Sequence, residues 1–175
     1  MEAYRRFATA TGKSLPSETK LNPGWSGGKL PIVNVDWNDA NGYCVWIGGR
    51  LPTEAQWEYA ARAETTTARY ADLNSIAWYS GNSQSTFHVV AQKAPNGYGL
   101  YDMIGNVWEW MADWYGAYDG AERTDPTGPP NGDRKALRGG SWYFNARVAR
   151  ASLRLRFVPA GRYDSYSFGF RCVGD

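Results

Sequence analysis

Glycine and proline are spread through this chain at about one residue in six, and their density limits the fold more than any other feature of the sequence. The 175 residues include 20 glycines and 9 prolines, which favour turns and interrupt helices. They therefore argue against a helical bundle. The 9 tryptophans, 12 tyrosines and 6 phenylalanines supply apolar surface for a packed core, which excludes a disordered chain. We expect a single domain over residues 1–175, rich in turns and coil.

Local patterns place helices early in the chain. Residues 3–10 have helical apolar spacing. Asp36 is a suitable N-cap for a helix that the glycine pair at 48–49 would end. Thr53 and Gln56 have the form of a capping box, with the hydroxyl first and the amide three residues later.

Short aromatic segments place strands late in the chain. Strands are predicted over 106–114, 136–142 and 167–173, with a further short strand at 32–35. The stretch 64–97 has no clear period and is predicted to be mostly loop. The fold class is therefore α+β, with two helices, short antiparallel strands and abundant coil.

The counts of charged and metal-binding residues exclude several functions. His88 is the single histidine, so neither a three-histidine iron site nor an HExxH zinc site can be built within this chain. Two cysteines are too few for a structural zinc cluster and leave either one disulfide or two thiols. The net charge of +2 predicts no global attraction to nucleic acid. No run of 18 apolar residues is present, so no membrane span is expected.

Several short motifs follow one another in a characteristic order. They are NVDW at 34–37, GRLPTE at 49–54, WEYA at 57–60, GLYDM at 99–103, GNVWEW at 105–110, RGGSW at 138–142 and GFR at 169–171. Their order and spacing resemble the formylglycine-generating enzyme (sulfatase-modifying factor) domain. The resemblance covers roughly residues 1–173 and implies a C-type-lectin-like fold.

The resemblance also bears on catalysis. Oxidases of this family hold copper with two cysteines that follow the RGGSW motif, and the matching positions here are Phe144 and Ala149. Neither side chain can ligate copper, so we expect no copper cofactor, no catalytic residues and no oxidase activity. A catalytically altered oxidoreductase of the same family is the alternative.

A third kind of family member uses the fold to display a binding surface. The variable proteins of diversity-generating retroelements carry hypervariable residues between an RGGSW-like and a GFR-like motif, and this chain has both. The resemblance implies a variable segment at about 143–168 that binds a protein or cell-surface ligand. The ligand-binding residues that we predict, exposed and close together, are Tyr143, Phe144, Asn145, Arg147, Leu153, Leu155, Phe157, Tyr163, Asp164, Ser165 and Tyr166. The alternative is that these residues are ordinary loop and partial core.

The resemblance further implies a structural calcium ion. Its ligands would be the side chains of Asp102 and Glu109 and the main-chain carbonyls of Gly105 and Val107. The alternative is that Asp102 caps a turn and Glu109 pairs with a buried arginine.

Cys44 and Cys172 match positions that form a structural disulfide in the family's oxidases. The alternative is two buried thiols in a reducing compartment. A disulfide would favour a cell-surface or virion setting over the cytoplasm.

The tryptophans and arginines are assigned mainly to the framework. Core packing is predicted for Trp57, Trp108, Trp110, Trp114 and Trp142. Ion pairs with framework acids such as Glu54, Glu58 and Glu109 are predicted for Arg138, Arg154 and Arg171. Ligand contact is left open for Arg147, Arg156 and Arg162.

Overall fold

The helices lie in the first half of the chain. The computed structural model describes residues 1–162 and 167–174. Its α-helices are α1 (Glu2–Thr11), α2 (Trp37–Trp46), α3 (Glu54–Arg62) and α4 (Leu73–Ile76), with a 3-10 turn at Pro23–Trp25. None of the helices in the described part of the chain is long and apolar enough to cross a membrane.

The starts of α2 and α3 confirm the capping predictions. The Asp36 carboxylate accepts a hydrogen bond from the Asp39 amide, and Thr53 and Gln56 form a complete capping box. These bonds satisfy amide groups that the first turn of a helix leaves free. Helix α1 follows the predicted spacing at 3–10, whereas the short α4 lies in a stretch predicted to be loop.

The strands form one mixed sheet. They are β1 (Trp108–Trp114), β2 (Lys135–Arg138), β3 (Leu155–Phe157) and β4 (Phe168–Gly169), in the spatial order β3-β2-β1-β4. The β1–β2 and β2–β3 pairs are antiparallel, and the β1–β4 pair is parallel. The α+β prediction is confirmed, and the predicted short antiparallel strands are joined by one parallel pair because β4 returns to β1 in the same direction.

Residues 32–35 do not form the predicted strand. Asn34 has a positive φ of 62°, which breaks an extended run, and its side-chain amide donates to the Ser17 carbonyl at 3.0 Å. Val33 and Val35 on either side are fully buried. The apolar residues therefore serve the core without pairing in a sheet.

The main core packs α1 and α2 against the aromatic face of the sheet. Phe7, Trp108, Trp110 and Phe168 are among its buried members. The predicted disulfide is present: Cys44 on α2 is bonded to Cys172 in the C-terminal segment, 128 residues away in sequence. This bond fixes α2 to the last part of the chain.

Candidate functional site

The RGGSW and GFR segments, which we call the framing motifs, are fixed in the core on either side of β1, where Arg138 and Gly169 both pair with Glu109. All five residues of RGGSW are buried, as is Gly169 of GFR. The Trp142 indole donates to the Ser167 hydroxyl at 2.7 Å, which joins the two ends of the intervening segment directly. Gly139 and Gly140 both have positive φ, at 96° and 80°, which favours glycine where the chain leaves β2.

Residues 143–152, which we call the display turn, follow the first framing motif. Main-chain bonds hold it: the Phe144 amide donates to Ser141 at 3.1 Å, and the Val148 amide donates to Asn145 at 3.0 Å. Tyr143, Asn145 and Arg147 are exposed on it. The structure thus brings these three predicted ligand-binding residues to the surface within five positions of one another.

The prediction of exposure is wrong for four other members of the predicted set. Phe144, Leu153, Leu155 and Phe157 are half-buried and pack against the main core. The reason is that residues 155–157 form β3, where Leu155 is paired with Leu137 and Phe157 with Lys135. Alternate side chains of a strand share one face, so Leu155 and Phe157 turn to the core while Arg156 is exposed.

The remaining four predicted residues are Tyr163, Asp164, Ser165 and Tyr166. They lie outside the residues that the structure describes.

Arg69 supports the display turn from outside it. Its guanidinium Nε donates to the Ala149 carbonyl at 2.8 Å, and its Nη2 donates to the Ala146 carbonyl. The Ala151 amide also donates to the Ala68 carbonyl at 3.0 Å. No local pattern predicts this role, because Arg69 lies in the stretch without a clear period.

The predicted pairs between arginines and framework acids are confirmed. Arg138 is fully buried and contacts both Glu58 and Glu54, and its Nη1 donates to the Leu153 carbonyl at 2.8 Å. Arg154 binds both oxygens of Glu54, at 2.8 and 2.5 Å. The network joins α3 to β2 and to the segment that enters β3.

Arg162, which was left open for ligand contact, is engaged within the framework. Its guanidinium pairs with Asp36 at 2.8 Å and Asp39 at 2.6 Å. Arg147 and Arg156 are exposed.

Core packing is confirmed for four of the five predicted tryptophans, which are buried: Trp57, Trp108, Trp110 and Trp142. Trp114 is partly exposed and lies against the Lys135 ammonium.

Glu109 is held in a second ion pair. The Arg171 guanidinium donates to its two oxygens at 2.6 and 2.7 Å, and the Trp57 indole donates to it at 2.6 Å. Burial lowers the pKa of Arg171, but the charge and hydrogen bonds of Glu109 together with the Asp102 and Tyr70 groups outweigh burial, and the pKa is raised. Burial raises the pKa of the nearby Asp102 carboxyl, which accepts a bond from the Ala91 amide at 2.7 Å.

The two positions of the missing copper cysteines are packed. The Phe144 ring lies edge-on to Trp108, with 5.7 Å between ring centroids. Ala149 is buried in a small apolar cluster with Ile76 and Ile104. The Ser141 hydroxyl and the Trp108 indole nitrogen are buried and have no hydrogen-bond partner in the described part of the chain.

The whole chain, residues 1–175, matches the sequence profile of the sulfatase-modifying factor enzyme 1-like domain. The chain belongs to this family. Among curated relatives of this sulfatase-modifying factor domain, the formylglycine-generating enzyme of Bos taurus is 36% identical over an aligned length of 166, and the match covers 83% of the chain and 44% of the relative. The serine/threonine-protein kinase pkn1 of Chlamydia pneumoniae is 42% identical over an aligned length of 159, and the match covers 87% of the chain and 25% of the relative.

A further relative of the domain is the inactive C-alpha-formylglycine-generating enzyme 2 of Mus musculus. It is 36% identical over an aligned length of 165, and the match covers 83% of the chain and 49% of the relative. The chain therefore spans less than half of the length of each of these three relatives.

Solved structures share the fold of the domain. Treponema denticola variable protein 1 superimposes with a TM-score of 0.76 and 28% identity, over 94% of this chain and 78% of that one. PvdO from Pseudomonas aeruginosa gives a TM-score of 0.80 and 28% identity, over 95% of this chain and 73% of that one.

The residues proposed for calcium do not fit an ion in this arrangement. Both oxygens of Glu109 already face a guanidinium, and a cation between Glu109 and Asp102 would lie beside the positive charge of Arg171. In the described residues, no group of three or more histidine, cysteine, aspartate or glutamate side chains is placed to hold a metal. This arrangement favours the alternative in which Glu109 pairs with an arginine, and calcium binding by Asp102 and Glu109, which is untested, would require Arg171 to leave Glu109.

Melting in the presence and absence of calcium tests this point. A ligand that binds only the folded state raises the midpoint of unfolding. With Arg171 paired to Glu109, we expect equal midpoints in millimolar calcium and in chelator, measured by differential scanning fluorimetry. A rise in calcium that Glu109→Gln abolishes would establish the calcium site instead.

Proposed function

We propose that this domain is a non-catalytic display domain that binds a protein or cell-surface ligand through the display turn. More specifically, we propose that it is a variable protein of a diversity-generating retroelement. The observation that carries the proposal is the contrast between the buried framing motifs and the exposed side chains of Tyr143, Asn145 and Arg147. A fixed frame with outward-facing residues is what a variable binding surface requires.

The bonding of the display turn supports this function. Its position depends on main-chain groups, on Arg69, which lies outside the turn, and on one side chain within it, because the Asn145 side-chain oxygen accepts from the Arg147 amide at 3.0 Å. The side chains of Tyr143 and Arg147 can change without loss of these bonds, and surface substitutions usually alter stability by less than about 0.5 kcal/mol. Tyrosine and arginine are also enriched among the residues that dominate binding energy at interfaces.

The relatives support the same interpretation. Treponema denticola variable protein 1 covers 94% of this chain.

Four half-buried side chains support the surface from beneath, because they pack against the core: Phe144, Leu153, Leu155 and Phe157.

The DNA around the coding sequence tests the retroelement proposal. We expect a reverse transcriptase gene nearby and a near-identical template repeat of the segment after codon 142, with mismatches at template adenines. Flanking DNA without either element would contradict the assignment to a retroelement.

The second candidate is a catalytically altered oxidoreductase of the family. It is favoured by the Ser141 hydroxyl and the Trp108 indole nitrogen, which are buried and lack partners in the described residues. Such groups are uncommon and call for an ordered water or a ligand. Both belong to motifs that carry the resemblance to the formylglycine-generating enzyme domain.

An assay of peptide oxidation separates the two candidates. We expect no conversion of a cysteine-containing sulfatase-type peptide to its aldehyde, with or without copper, because Phe144 and Ala149 provide no soft ligand. Mass spectrometry of the peptide measures the outcome, with an active formylglycine-generating enzyme as positive control. Copper-dependent aldehyde formation would support the oxidoreductase.

A further inference from the structure

We propose that Arg69, Arg147 and Arg150, which we call the arginine patch, bind a carboxylate-rich surface of a partner protein. This inference rests on the proposed display function and names the chemistry of its partner. It is carried by the positions of the three residues and by the lack of an ion pair to any of them within residues 1–162 and 167–174.

Hydrogen bonds place the three arginines together. The Arg69 guanidinium donates to the carbonyls of Ala146 and Ala149. Those carbonyls belong to the peptide groups that immediately precede Arg147 and Arg150. The Arg69 guanidinium therefore contacts the residue directly before Arg147 and the residue directly before Arg150. The side chains of Arg147 and Arg150 are both exposed.

The patch carries positive charge that nearby acids do not neutralise. Residues 143–162 contain five arginines and neither aspartate nor glutamate. Arg154 and Arg162 are paired with carboxylates. Within residues 1–162 and 167–174, no carboxylate forms an ion pair with a member of the arginine patch. The framework thus pairs Arg154 and Arg162 with carboxylates, whereas Arg147 and Arg150 are exposed. Arg69 donates to two carbonyls of the display turn and adds a third positive charge beside them.

The side chains around the patch favour a protein over a polyanion such as nucleic acid. A guanidinium binds a carboxylate with two parallel hydrogen bonds, which gives strength and orientation. Exposed Tyr143 and Asn145 lie beside the patch, and this mixture of aromatic, amide and guanidinium groups is typical of protein interfaces. The net charge of only +2 gives little of the global attraction on which nucleic-acid binding depends.

The test measures binding of a fluorescein-labelled oligoglutamate peptide by anisotropy at low salt. The variant is Arg147→Gln with Arg150→Gln. The matched control is Lys20→Gln with Lys29→Gln, which removes the same charge from two exposed positions elsewhere. We expect the arginine variant to bind about tenfold more weakly than the parent and the lysine control to bind within about twofold of it.

Two results would overturn the inference. Equal weakening in both variants would show that only net charge matters. Tighter binding of duplex DNA or heparin than of oligoglutamate, lost in the arginine variant, would show that the patch binds another class of polyanion. If the double variant melts below the parent, the single variants replace it, each expected to bind about threefold more weakly.

The outcome of this experiment can be distinguished from the outcome of the test of the display proposal. A retroelement template beside the gene together with unchanged oligoglutamate binding in the arginine variant would retain the display function and reject its acidic partner. Absence of the template together with arginine-dependent binding would retain the patch and reject the retroelement.

Discussion

Replacing Cys44 and Cys172 together by alanine is expected to lower the free energy of unfolding by about 4–5 kcal/mol. The two cysteines are bonded across 128 residues, and a cross-link that closes so long a loop strongly restricts the unfolded chain. For a domain of this size the loss corresponds to a fall in melting temperature of about 10–20 °C. A typical domain has a free energy of unfolding of about 5–15 kcal/mol. The expected loss is therefore a large part of the stability of a domain.

Chemical denaturation of the parent and of the double alanine variant measures this effect. Parent protein denatured with an excess of dithiothreitol is the control, because reduction removes the bond without changing the packed side chains. The reduced parent should approach the variant. A variant that retains the stability of the oxidised parent would contradict the expectation.

Arg138→Met is expected to cost about 3–5 kcal/mol of folding stability. Arg138 is fully buried and contacts Glu58 and Glu54. Methionine fills much of the same space, but it leaves the Leu153 carbonyl without its donor. It also removes the fully buried arginine beside Glu58 and Glu54, whose remaining partners are Arg62 and Arg154. Removing one partner of a buried ion pair is strongly destabilising because the remaining charge stays desolvated.

The matched comparison for Arg138→Met is Arg6→Met, which removes an arginine from a pair with Glu2 that is about 70% exposed. Exposed pairs contribute less than about 1 kcal/mol, so urea unfolding of this variant should resemble that of the parent. Adding Glu58→Gln to Arg138→Met should recover part of the loss, because it removes a charge that has lost one of its two arginine partners and keeps only Arg62. Similar losses in the Arg138 and Arg6 variants would show that the network is not important for stability.

The helices were predictable because their signals are local. The Asp36 cap and the Thr53–Gln56 capping box each lie within four residues of sequence, and both bonds form as expected. The residues that pair with Glu54, Glu58 and Glu109 could be named only through the family resemblance, since partners such as Arg154 lie 100 residues away.

Strand β3 had a local signal that the prediction did not use. Leu153, Leu155 and Phe157 alternate with Arg154 and Arg156, the period of two that a strand with one buried face requires. The prediction took the whole segment between the framing motifs to be exposed. Residues 155–157 are instead partly buried because they pair with β2. The support from Arg69 was not predictable, because it depends on a contact across 77 to 80 residues of sequence.

Mutational tolerance of the display turn tests the central claim, a fixed frame that carries a variable surface. One library randomises the exposed positions, which are Tyr143, Asn145, Arg147, Arg150 and Ser152. The matched library randomises five buried positions, which are Trp108, Trp110, Leu137, Trp142 and Phe168. Pulse proteolysis counts the folded clones in each.

We expect most clones of the exposed library to stay folded, because five surface changes of about 0.5 kcal/mol each remain below the stability of a typical domain. Clones of the buried library should almost all unfold, since a single large-to-small core substitution costs about 2–5 kcal/mol. If the exposed library unfolds as often as the buried one, the display turn is framework and the proposed function is wrong.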